Sequence, residues 1–187
     1  MKKNKVTKER IIASAISVAD QKGLQQITLK DVAAILDIKT PSLYNHIAGL
    51  DDLVNLLAYD GLTKLKNQLI NAVLGLSGKE ALFSMGMAYR NFAKESPSLY
   101  EATQLVHLWK NKETQQLAES IVELMSIFLE SYHFSNEKKI SIIRMLRSYL
   151  HGFSLLEMQQ SFGMPLNIDK SFQFGLSTIL NSLDNND

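Results

Sequence analysis

Nine consecutive residues, Lys39-Thr40-Pro41-Ser42-Leu43-Tyr44-Asn45-His46-Ile47, bring together a cation, three hydroxyls, an amide and an imidazole. These are the groups that meet phosphate oxygens and the edges of bases. Leu43 and Ile47 stand one helical turn apart and read as the inward side of a short helix over 41–47. Lys39, Thr40, Ser42, Tyr44, Asn45 and His46 would then face outward. A second constellation, Glu130-Ser131-Tyr132-His133, has the Glu-x-x-His spacing of carboxylate-bridged di-metal bundles. Such sites need two of these motifs and two further glutamates on facing helices, and only one is present. The chain has no cysteine, hence no thiolate ligand or thiol nucleophile. It also lacks a glycine-rich phosphate loop, a zinc motif and a nucleophile elbow. No catalysis, cofactor or metal is expected.

The elements that must hold the polar stretch are helical. Ile11, Ile12, Ala15, Ile16 and Ala19 recur at three- and four-residue steps, with Thr7 as N-cap and Gly23 as stop. Thr28 opens a short helix over 29–36, with Asp31 completing a short-armed capping box. Thr40-Pro41 then announces the next helix, Thr40 as N-cap and Pro41 in the first turn, where its missing N–H costs nothing. Two short helices joined by a few residues make a tight turn that holds the second across the first, the arrangement that enters a major groove. Val32, Ala33, Leu36, Ile38, Leu43 and Ile47 supply its inner side. Spacing alone equally permits an ordinary helical hairpin with a polar solvent face.

Gly49 ends that helix and Asp51 starts a long fourth one carrying Leu53, Leu56, Leu57, Leu62, Leu65 and Leu69. Further helices follow at 79–94, 98–109, 112–132, 136–160 and 169–183, separated by Gly78, Ser96-Pro97, the 132–136 stretch and Gly163-Met164-Pro165. The expected fold is all-α: a three-helix head, residues 1–50, and a helical body, residues 51–187. The acidic tail over 184–187 is expected to fray.

Charge follows the same division. The net charge of the whole chain is +1, yet residues 1–50 hold eight Lys or Arg against four acids, and the remainder is net acidic. A basic head suits a polyanion, although solvated lysine-rich faces are common. Hydrophobic residues make up 45% of the chain, enough for a packed core. No apolar run approaches the roughly 18 residues a membrane span needs. A soluble, cytoplasmic protein is expected.

Thr28-Leu29-Lys30-Asp31-Val32-Ala33 followed by residues 39–47 resembles the N-terminal signature of tetracycline-repressor-type regulators, and the likeness runs over about residues 7–55. The resemblance implies a homodimer binding double-stranded DNA at a palindromic operator, usually as a repressor, and released by a small-molecule effector. It makes Tyr44 and His46 phosphate contacts, and it brings Thr28 and Lys30 to the backbone. Lys39, Thr40, Pro41 and Ser42 become the base readers, with Asn45 as a further contact. The lysines before Thr7 form either a phosphate-tracking arm or a solvated tail. Three departures stand out: Asp37 where such turns have Gly, Ile47 in place of Phe, and Leu50 where a Lys often approaches a phosphate. The other functional class the sequence leaves open is a helical small-molecule-binding or interaction protein of the same fold without DNA binding. Basic residues at 30 and 39, with Tyr44 and His46, favour the DNA-binding reading.

In the body, Arg147-Ser148-Tyr149-Leu150-His151-Gly152-Phe153, with Leu156-Glu157 and Phe162-Gly163-Met164-Pro165, resembles the C-terminal domain of one branch of these regulators. That likeness implies a dimer interface on the last two long helices, involving Tyr149 and Phe153. Phe172, Leu176, Ile179, Leu180 and Leu183 form an apolar stripe that suits either the same interface or the protomer's own core. An effector pocket would draw on Met85, Tyr89, Phe92, Leu105, Trp109, Met125, Phe128 and Met145, with His107, Arg147 and His151 as polar contacts. Each of these residues has plain core or surface packing as its alternative.

Overall fold

A computed structural model describes residues 6–184. The basic stretch 2–5 and the tail 185–187 lie outside the described residues, and with them the expected arm and all of the segment expected to fray except Asp184, which ends a 3-10 turn. Among the described residues there are eight α-helices, short 3-10 turns and no strand. The helices are α1 Lys8–Lys22, α2 Leu29–Ile35, α3 Leu50–Ala72, α4 Gly78–Glu95, α5 Pro97–Gln104, α6 Lys112–Ile127, α7 Asn136–Met158 and α8 Ile168–Asn181. No helix is long and apolar enough to cross a membrane.

Local chemistry fixes most helix ends. Thr7 Oγ1 accepts from the Arg10 N–H, Ser135 Oγ from that of Lys138, and Asn167 Oδ1 from that of Lys170; each satisfies one of the orphan donors of a helix start. Gly23 ends α1 at a φ of 88°, open to glycine without strain. Three expected helices stop early and finish as tighter 3-10 turns: Val106–Leu108 after α5, Glu130–Tyr132 after α6 and Ser182–Asp184 after α8.

The described residues gather into two compact units, one of residues 6–63 with Ser96–Leu117, the other of Lys64–Glu95 with 118–184. The first unit includes α5 because that helix packs on α1 and on the 3-10 turn Leu24–Gln26. In the first unit α1 buries Ile11, Ala15, Val18 and Ala19 and packs on α2. Ile12 and Ile16 lie at the edge of that face, half-buried. At Gly61 a Cβ would come within 2.8 Å of Thr103 Cγ2 and 3.0 Å of the Leu99 carbonyl, so glycine permits the close approach of α3 and α5.

The second unit is built on α4 packed against α7 and α8. Its core holds Leu82, Met85, Phe92, Leu146, Leu150, Phe172 and Leu176. Arg90 is only 1% exposed within this core. Its guanidinium donates to both Glu157 oxygens at 2.6 Å and to Asp169 Oδ1 at 2.7 Å. It lies over the Phe172 ring at 4.8 Å from the centroid. A buried cation is tolerable only when paired and hydrogen-bonded in this way. Burial opposes ionisation of Glu157, but the hydrogen bonds from Arg90 and Lys94 outweigh it and hold its carboxyl below the ordinary range. The Asp169 carboxyl is lowered by Arg90 as well.

Candidate nucleic-acid interface

The short paired elements of the head sort their residues by polarity. Val32, Ala33, Leu36, Leu43 and Ile47 are buried, and Ile38 is half-buried. Thr28, Lys30, Lys39, Pro41, Ser42, Tyr44 and Asn45 are exposed, with Thr40 and His46 half-buried. The partition is abrupt: Leu43 is 0% exposed and its neighbour Tyr44 57%.

The start of α2 is held by a local network. Thr28 Oγ1 accepts the Asp31 N–H at 3.2 Å and donates to Asp31 Oδ2 at 2.7 Å, while Lys22 Nζ donates to Asp31 Oδ1 at 2.7 Å. The Lys22 hydrogen bond, then that of Thr28, keeps the Asp31 carboxyl below its ordinary range. Asp31 therefore neutralises Lys22, and the exposed Lys30 and Lys39 make no ion pair with a described residue.

The connecting turn passes through Asp37 at a φ of 53°, the left-handed region usually left to glycine. The Ile38 N–H reaches back to the Ala33 carbonyl at 3.0 Å and closes the end of α2. An Asp at this position thus supports the turn.

The second element differs from the expected α-helix over 41–47. It is a 3-10 helix, Thr40–Asn45, preceded by Lys39 at the N-cap position with no side-chain capping bond. Thr40 is accordingly the first residue of the element and not its cap. The Ser42 N–H bonds to the Lys39 carbonyl at 2.8 Å and the His46 N–H to the Leu43 carbonyl at 2.8 Å. Pro41 is compatible because no partner is needed for its nitrogen in the first turn.

After Gly49, helix α3 begins at Leu50 rather than Asp51. Leu50 is 40% exposed. Asp52 Oδ2 accepts the Ala48 N–H at 2.8 Å, and Asp51 Oδ2 accepts from Lys110 Nζ at 2.8 Å. Two carboxylates therefore occupy the first turn of α3.

In the second unit the apolar stripe of α8 turns inward. Phe172 and Leu176 are 0% exposed, Leu180 1% and Leu183 4%. These four residues pack within the protomer's own core, one of the two places the stripe suits; Ile179 is half-buried. Tyr149 and Phe153 are half-buried, the Tyr149 hydroxyl donating to the Phe172 carbonyl at 2.7 Å and the Phe153 ring packing on Phe172 and Phe162. The apolar residues of α7 and α8 that do reach the surface are Ile140, Met145, Leu155, Leu156 and Phe174, with Met164 and Leu166 in the connecting loop. Phe174 lies off the apolar stripe and nothing in the periodicity singled it out.

Met85, Tyr89, Phe92 and Met125 are buried in the second unit, with Phe128 and His151 half-buried. Burial, then the Arg147 charge, lowers the His151 pKa. Met145 is 41% exposed and Arg147 is exposed, both on the outer side of α7. Trp109 is buried and Leu105 half-buried in the first unit, where His107 is exposed. Glu130 is ion-paired with Lys139 at 2.7 Å, and no group of three or more metal-ligating side chains occurs among the described residues. Arg90 is the important residue that periodicity passed over. Its place among Leu82, Met85, Gly86, Tyr89 and Ala93 on one face of α4 was the available signal.

The model of the family described as "Tetracyclin repressor-like, C-terminal domain" matches residues 82–179, more than half of the chain. The chain belongs to the tetracycline-repressor (TetR) family. It is 36% identical over 180 residues to the uncharacterized HTH-type transcriptional regulator YobS of Bacillus subtilis (strain 168), covering 95% of this chain and 93% of that protein. It is 26% identical over 162 residues to the HTH-type transcriptional repressor DrrR1 of Streptomyces coeruleorubidus, covering 83% of this chain and 55% of that protein. Among solved structures, TetR from Acinetobacter baumannii AYE shares the fold at a TM-score of 0.72 and 18% identity, covering 96% of this chain and 97% of that one. The residues matched by the TetR family's C-terminal model run from α4 into α8.

Proposed function

We propose that this TetR-family protein is a cytoplasmic DNA-binding transcriptional repressor. It acts as a homodimer on a palindromic operator and is released by a small-molecule effector. The observation that carries the reading is the head: Thr28, Lys30, Lys39, Thr40, Pro41, Ser42, Tyr44, Asn45 and His46 are all exposed or half-buried around a closed apolar interior. Tyr44, His46, Thr28 and Lys30 hold phosphates, while Lys39, Thr40, Pro41, Ser42 and Asn45 meet base edges. The missing cation at Leu50 and the carboxylates of Asp51 and Asp52 leave the start of α3 without a phosphate contact.

One short element reads few bases, so two heads on half-sites about 34 Å apart, or a multiple of that, make the competent reader. The exposed apolar residues of α7 and α8 support the dimer. Met145, Ser148, Gly152 and Leu155 follow one face of α7 at helical steps, and Phe174 is 76% exposed on α8. At Gly152 a Cβ would meet nothing within 4 Å, so the fold of the protomer gives no reason for a glycine there. A partner helix approaching closely does. The effector draws on the apolar side chains of the second unit, Met85, Tyr89, Phe92, Met125 and Phe128, with His151 as a polar contact.

Selection of bound duplexes from a random DNA pool tests the DNA-binding and two-fold parts of this reading. A palindromic consensus is expected. Enrichment of no sequence, or of one without two-fold symmetry, refutes it.

A further inference from the structure

The network that joins Thr28, Asp31 and Lys22 shares its donors unevenly. Thr28 Oγ1 accepts the Asp31 N–H at 3.2 Å and gives its one proton to Asp31 Oδ2 at 2.7 Å. An ionised carboxylate only accepts, so the direction of that second bond is fixed. The oxygens of the DNA backbone also only accept. The Thr28 hydroxyl therefore has no donor for a phosphate as long as it stays on Asp31.

Lys22, the last residue of α1, has the complementary surplus. Its ammonium carries three N–H donors, and one of them goes to Asp31 Oδ1 at 2.7 Å. The other two meet no partner among the described residues, and the Lys22 side chain is 48% exposed against 28% for Asp31. One carboxylate thus holds the Thr28 hydroxyl with one oxygen and the Lys22 ammonium with the other. The ammonium is thereby kept beside Thr28, and Lys30 stands exposed two residues further on. As a stabilising contact the pair contributes little, because exposed ion pairs are weak. For binding it matters more: a lysine already tethered has lost rotamer freedom that it would otherwise lose on meeting a phosphate.

We propose that Lys22 is a further phosphate-binding residue of the head, positioned by Asp31, and that Thr28 serves the same phosphate by holding Asp31 in place. The proposal rests on the DNA-binding reading above and deepens it. The backbone is then gripped by the end of α1 as well as by the two short elements that follow.

The competing role for Lys22 is to cancel the Asp31 charge near DNA without touching the backbone. Lys22→Gln weakens binding under either role. The double variant Lys22→Gln with Asp31→Asn separates them, because it has the parent's net charge and lacks the ammonium. Fluorescence anisotropy of the full chain is measured on the duplex selected by the parent and on a mixed-sequence duplex at low salt. The double variant is expected to bind both at least about tenfold more weakly than the parent, with the preference between them unchanged, because phosphate contacts carry no sequence information. Asp31→Asn alone removes a negative charge beside a polyanion, so charge by itself would tighten binding; loss of the positioning group should instead weaken it. Lys22→Arg, which keeps charge and donors, should bind as the parent does. All these variants should keep the parent's urea midpoint, since an exposed pair adds little to folding. A double variant that binds as well as the parent, or an Asp31→Asn chain that binds more tightly, overturns the proposal alone. A parent chain that binds neither duplex overturns the DNA-binding reading together with it.

Discussion

Tyr44 and its neighbours illustrate how single side chains divide labour. The Tyr44 hydroxyl is exposed on an element anchored by the buried Leu43. A hydroxyl that meets a phosphate contributes affinity without reading sequence. Tyr44→Phe is expected to weaken binding to every duplex about equally, by about 1 kcal/mol, in fluorescence anisotropy titrations. Thr40 and Ser42 variants should instead change which sequence is preferred, and an unaltered selected consensus in both would show that base readout lies elsewhere. Arg90 acts at the same scale but on stability. Arg90→Met leaves Glu157 without its principal partner and should cost about 3 kcal/mol in urea unfolding. Glu157 and Asp169 are both held below their ordinary carboxyl values. Their contribution is therefore complete at neutral pH and is lost as the pH falls through the ordinary carboxyl range towards those lowered values. The acid limb of a stability profile should be shallower in Glu157→Gln than in the parent chain; equal limbs would show that the pair does not carry it.

At the scale of elements, the decisive features are where two helices come close. Gly175 of α8 faces the ring of Tyr149 on α7, and a Cβ there would fall 2.4 Å from the Tyr149 hydroxyl oxygen. Gly175→Ala must push that ring away and break its bond to the Phe172 carbonyl. A loss of about 1–3 kcal/mol is expected in thermal or urea unfolding, despite the higher helix propensity of alanine. Gly152, on the open side of α7, should behave in the opposite way. Gly152→Ala relieves the entropic penalty of a glycine in mid-helix and should stabilise the protomer by up to about 1 kcal/mol. Gly152→Leu should prevent dimer formation by blocking the close approach of a partner helix. Light scattering distinguishes the two effects; a Gly152→Leu chain that remains dimeric places the interface on another surface.

The whole molecule adds long-range charge. The excess of basic residues over 1–50 survives folding as exposed Lys30 and Lys39, while Lys22 is paired with Asp31 and Lys110 with Asp51. Affinity for duplex DNA should therefore fall linearly on a log–log plot against salt, with a slope set by the phosphates neutralised. A slope near zero would remove the electrostatic argument altogether. Lys30→Gln is expected to reduce the slope by about one, and Lys39→Gln to relax the sequence preference instead.

By itself the sequence determined the helical class, most helix limits, and the pairing of short elements around residues 28–47. It did so because local signals suffice for these: caps at Thr7 and Thr28, the stop at Gly23, and apolar spacing of three and four. The turn through Asp37 was legible for the same reason, since Asp tolerates a left-handed backbone. Only the tertiary structure decided which apolar residues face the core and which face solvent. A stripe such as Phe172, Leu176, Leu180 and Leu183 is identical in sequence whether it meets its own protomer or a second one, and burial alone distinguishes these cases. Tertiary packing also set the unit boundary, since α5 returns to α1 across more than seventy residues of chain. The 3-10 form of residues 40–45 and the burial of Arg90 likewise arise from neighbours distant in the chain, which periodicity does not register.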